Sequence, residues 1–111
     1  MLPISEAIAT AFRAYQAGNW FEAEWICQEI VQQQSGNVPA LLLLGAIAQQ
    51  TSRLESAVTY YKTILQLQPN HFEAHSNLAV ALQNWGDWQG AENHFKRALE
   101  LNPTHSPTLF N

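Results

Sequence analysis

The chain has 111 residues, 47% of them apolar, with Lys+Arg 5 against Asp+Glu 9 for a net charge of −4, which describes one domain able to fill a core. A negative balance with no basic run argues against nucleic-acid or anionic-membrane partners. The single Cys27 excludes an intramolecular disulfide and fits a reducing, cytoplasmic setting, while MLPISEAIATAF lacks a basic start and carries Glu6, unlike a secretory signal.

In chain order, the first predicted helix covers roughly Ile4 to Ala17, with small residues at Ala7, Thr10, Ala11 and Ala14. Gly18-Asn19 makes a turn, and a second helix runs from about Trp20 to Gln34 with Trp20, Ala23, Cys27, Ile30 and Val31 inward. Ser35-Gly36-Asn37 links it to the next helix, whose apolar run Val38 to Ala48 falls far short of the roughly 20 residues of a membrane span. That helix carries Leu41, Leu44, Gly45 and Ala48 at helical spacing. Its four leucines, Leu41 to Leu44, point all round, so at least one leaves the core. Gly45 in mid-helix costs about 1 kcal/mol against alanine, which implies that a packed neighbour needs the space. Thr51-Ser52-Arg53 turns into a helix with Ala57, Tyr61 and Ile64, closed by Pro69. The last pair carries Leu78, Ala79 and Leu82, then Gly86-Asp87 with Asp87 as N-cap, then Ala91, Phe95, Ala98 and Leu99, and ends at Pro103.

The period tests by subtraction. Ala23, Ala57 and Ala91 stand 34 residues apart, as do Cys27, Tyr61 and Phe95; Ile30, Ile64 and Ala98; and Pro69 and Pro103. These residues, with His75-x2-Leu78-Ala79-x2-Leu82, Ala91-x3-Phe95 and Pro103 as the clearest instance, resemble the tetratricopeptide repeat signature. The resemblance implies an all-α, right-handed superhelical solenoid of antiparallel helix pairs. The expected repeats are about 4–37, 38–71 and 72–105 within one domain, 1–111, with a fourth opening at 106–111. Ending at Leu109, Phe110 and Asn111, that opening points to a fragment, or to a C-terminal partner from another chain. The last apolar face, Leu82, Phe95, Leu99 and Leu101, is then expected to be partly exposed.

No nucleotide-binding, nucleophile-elbow or metalloprotease motif is present in the sequence. Asp87 is the only aspartate and reads as a cap, Cys27 as a buried structural thiol, and the chain as a non-enzyme without cofactor or metal. His71 and His75 have i, i+4 spacing, yet one falls in a loop column and the other in a core column, so core packing outweighs a metal site. His94 and His105 read as surface positions. Trp20 and Trp88 share a column with Leu54 and read as packing residues. Trp25 and Trp85 have no such role and are candidates for a partner or self-association interface, together with Leu109 and Phe110.

In the family that the repeats resemble, the first helix of each pair lines a concave groove. The resemblance places there Ile8, Phe12 and Tyr15, then Leu42, Ala46 and Gln49, then Ser76, Val80 and Gln83. It implies a protein-interaction module that takes a peptide or partner segment. The clamp with which some members grip a C-terminal carboxylate is absent: its positions hold Ile8, Phe12, Leu43, Glu73 and Asn77. Asn77, with Asn111 34 residues on, matches the column where O-linked N-acetylglucosamine transferase repeats carry an asparagine ladder. This resemblance implies amide contacts to peptide backbone and an alternative role as the substrate-selecting segment of a glycosyltransferase or other multidomain enzyme. Self-assembly through an uncapped last repeat is the remaining alternative.

Overall fold

In a computed structural model, which describes residues 2–103, the chain forms six helices and, among these residues, no strand. They are α1 Ile4–Gln16, α2 Trp20–Gln33, α3 Val38–Gln50, α4 Leu54–Leu67, α5 Phe72–Trp85 and α6 Trp88–Leu101. The helix starts are set by local chemistry. Asn37 Oδ1 accepts from the Ala40 N–H at 3.0 Å, and His71 Nδ1 accepts from the Ala74 N–H at 3.1 Å, so residues 34 apart cap α3 and α5. Asp87 caps α6 through Gly90 N–H at 2.9 Å, and Gly90 leaves room for that carboxylate. Gly18 and Gly86 turn the chain at φ 82 and 95, a left-handed conformation that glycine adopts without a Cβ clash. In the second repeat Ser52 takes that position at φ 62.

Each helix packs on the next in chain order, and α1 also touches α3. Thus α2 lies between α1 and α3, and α4 between α3 and α5. The first helices of the pairs form one layer and the second helices the other. No pair can bury its own apolar face, so the core is made by stacking. One cluster joins α1, α2 and α3 through Ala11, Ala23, Cys27, Leu44 and Ile47; the next joins α3 to α6 through Leu41, Tyr61, Ile64, Leu78 and Ala91. Leu42 is the leucine of the run that leaves the core, while Leu41, Leu43 and Leu44 are buried.

Gly45 has a visible reason. A Cβ there would lie 2.5 Å from Cε1 and 2.7 Å from Cζ of Tyr61, so the tyrosine ring rests directly on the α3 backbone. Three expectations are corrected. Trp88 is 65% exposed, because its column mates Trp20 and Leu54 are half-buried beside the following repeat, whereas α6 has no following helix among the described residues. Leu82 is buried, since α5 turns it into the cluster shared with α4 and α6. His94 is half-buried rather than a surface residue, because its ring is drawn against His75 of α5. The fourth-repeat residues 106–111, with His105, Leu109, Phe110 and Asn111, lie outside the described residues.

Candidate functional site

The residues expected to line a groove sit at i, i+4 and i+7 along α1, α3 and α5, which puts each set on one helix face. Ile8, Tyr15, Leu42, Ala46, Gln49, Asn77, Val80 and Gln83 are half-buried, and Phe12 is 50% exposed. Ser76, in the same columns, is buried and offers little surface. In the asparagine column Leu43 is buried and Ala9 has no amide, so Asn77 is its one amide among the described residues. The columns hold apolar side chains at Ile8, Phe12, Leu42, Ala46 and Val80, with amides at Gln49, Asn77 and Gln83, and no charged group.

Among the described residues, only one of these amides is held in place by another side chain. The Tyr61 hydroxyl donates to Gln49 Oε1 at 2.6 Å, a length that fits O–H···O better than N–H···O. Burial, with Tyr15 adding to it, pushes the Tyr61 hydroxyl up, so it stays protonated. The sequence signal for this pair was the glycine beneath a tyrosine, Gly45 and Tyr61, in columns that hold Ala11 with Cys27 and Ala79 with Phe95 in the other repeats.

The three described histidines go to other tasks than gathering around one point. His71 caps α5, while His75, buried, pairs with His94 instead. The Pro69 carbonyl can only accept, so His75 donates from Nε2 at 2.8 Å. In that tautomer His75 Nδ1 is an acceptor, and His94 Nδ1–H donates to it at 3.0 Å. With ring centroids 5.2 Å apart, the two nitrogens lie close to the line between the rings, which therefore meet edge to edge rather than face to face. Burial lowers the His94 pKa, His75 and Lys62 lower it further, and Asp87 opposes them. Among the described residues no group of three His, Cys, Asp or Glu side chains forms a metal-binding arrangement. Cys27 is buried, and burial, with Glu24 adding, pushes its thiol up to about 12, which keeps it from acting as a thiolate.

Trp25 and Trp85 are exposed. Trp25 edges an apolar cleft of about 300 Å³ with Leu2, Ile4, Ile26 and Ile30. Trp85 shares an open cleft with Arg53, Thr59 and Tyr60. Phe21, one turn before Trp25 on α2, is 91% exposed; the sequence carries no periodic signal for it, because its column mates Glu55 and Gln89 are polar. No described helix is long and apolar enough to cross a membrane.

The profile of the tetratricopeptide repeat matches residues 38–71 and again residues 72–105. The UDP-N-acetylglucosamine–peptide N-acetylglucosaminyltransferase of Caenorhabditis elegans is 38% identical over 81 residues, which is 73% of this chain and 7% of that protein. The O-GlcNAc transferase of Thermobaculum terrenum superposes with a TM-score of 0.91 at 26% identity, over 95% of this chain and 20% of that one. PcrH, a Pseudomonas aeruginosa protein solved with the chaperone-binding region of PopB, superposes with a TM-score of 0.87 at 25% identity, over 96% of this chain and 89% of that one.

Proposed function

The chain belongs to the tetratricopeptide repeat family, and on that premise we propose that it is a protein-interaction module whose concave face takes a segment of a partner protein. Ile8, Phe12, Leu42, Ala46 and Val80 supply apolar contact; Tyr15, Gln49, Asn77 and Gln83 supply polar ends. The observation that carries this reading is that these nine residues, drawn from all three repeats, reach solvent at helical spacing although most of them are apolar. PcrH, solved with a segment of another protein, supports a segment as occupant. The reading includes action in the cytoplasm, supported by the single buried thiol, and no catalysis by these repeats.

Selection of short random peptides on the immobilised chain, followed by calorimetry on Phe12→Glu and Leu42→Glu, tests this. Both variants are expected to lose binding while keeping helical circular dichroism. Unchanged binding in both would remove the groove as the site.

A second reading is favoured by the transferase similarity: the repeats select substrates for a longer glycosyltransferase-type enzyme, of which they would be a small part. Asn77 would then contact peptide backbone without regard to sequence. A binding preference that survives scrambling of the peptide and falls with Asn77→Ala is expected on this reading. Binding that depends on the order of residues and ignores Asn77 counts against it.

A further inference from the structure

Gln49 differs from the other groove amides in having its orientation imposed from the core. Gly45, one helical turn earlier on α3, leaves no Cβ, so the Tyr61 ring lies against the helix. The ring's hydroxyl then meets Gln49 Oε1 at 2.6 Å. With its oxygen engaged, Gln49 can turn only its –NH2 outward. That nitrogen bonds to no described residue, and no buried polar side-chain atom lacks a partner, so it is open to solvent. Gln83, in the same column, has Phe95 where Tyr61 stands, and no side chain among the described residues pins it.

A fixed donor beside apolar residues calls for an acceptor that comes without charge. No column of the groove carries a cation, so a carboxylate there would be desolvated without a counter-charge. A peptide carbonyl fits. A bound helix has its carbonyls engaged internally except in its last turn, whereas an extended segment leaves them free. We propose that Gln49, held by Tyr61 on Gly45, is a dedicated donor to one main-chain carbonyl of an extended, uncharged peptide segment lying across Phe12, Leu42 and Val80. This rests on the groove reading above and adds to it the chemistry and conformation of the occupant.

The test uses the intact chain and the tightest peptide selected on it from short random sequences. Gln49→Glu keeps an acceptor for the Tyr61 hydroxyl but replaces the –NH2 with a second carboxylate oxygen. It is expected to weaken that peptide by about tenfold or more. Tyr61→Phe frees the amide to rotate and is expected to cost less than Gln49→Glu; Gln66→Glu, an exposed amide on α4 outside the groove columns, is the charge control and is expected to cost least. Ester-for-amide replacement along the peptide, which weakens a single carbonyl, is expected to lower affinity at one position for the native chain and to have no effect there for Gln49→Ala. Binding that is lost in Phe12→Glu yet unaffected by Gln49→Glu would overturn the carbonyl donor and leave the groove standing. Failure to select any peptide would overturn both. If Tyr61→Phe does not fold, the Gln49 variants and the ester scan still decide the matter.

Discussion

The second and third repeats fill equivalent space with different chemistry. Where the second has Leu41, Gly45, Tyr60 and Tyr61, the third has His75, Ala79, His94 and Phe95. In the second, a tyrosine ring takes the room a Cβ would need, and its hydroxyl reaches the half-buried amide of Gln49. In the third, two imidazoles meet across α5 and α6 and are anchored on the Pro69 carbonyl. Both are closely packed, since Tyr61, Leu78 and Ala79 are fully buried. The signature thus fixes where volume goes, not what kind of group supplies it. One repeat has a polar tie directed at the face proposed to take a partner. The other has one that responds to protons.

Breaking the first arrangement gives the largest expected effect. Gly45→Ala is expected to destabilise the chain by about 2 kcal/mol in urea unfolding, because overpacking against a fixed ring outweighs alanine's helix preference. In a Tyr61→Cys background, which copies the Ala11–Cys27 pairing of the first repeat, the same change is expected to become stabilising by about 1 kcal/mol. The same sign in both backgrounds would mean that the ring is not what excludes a Cβ.

The turns sharpen the comparison at smaller magnitude. The third repeat turns on Gly86 and the second on Ser52, both at positive φ. Ser52→Gly is expected to stabilise by about 0.5 to 1 kcal/mol, as relief of the left-handed strain exceeds glycine's extra entropy in the unfolded chain. A loss of melting temperature in this variant would count against strain at the turn.

The smallest effect concerns protons. The His94 pKa is lowered in the folded chain from its ordinary value of 6.5, so the unfolded chain binds the proton more readily. The stability this pair contributes is therefore intact above 6.5 and lost as the pH falls through the folded value. Because His94 is only half-buried, solvent screening keeps the effect small. Amide exchange should quicken in α5 and α6 relative to α3 and α4 between pH 7 and pH 5, and His94→Gln should flatten that difference. Equal quickening in both repeats would place the proton elsewhere.

The period of 34 residues, the glycine and asparagine turns, and the alanine column at Ala23, Ala57 and Ala91 were enough to set six helices and their stacking. They follow from local propensity and from apolar faces that cannot be buried alone, and both are written along the chain. Gly45 was legible too, as a close approach, though the partner making the approach was not. Tertiary structure alone decided that Tyr61 rests on Gly45 and turns Gln49, that His94 is drawn inward by His75, that Leu82 is buried, and that Trp88 is left exposed. Each of these depends on which side chain of another helix stands opposite, or on whether a neighbouring helix stands there at all. A column in the sequence records the residue at a position but not the group it meets across the packing interface.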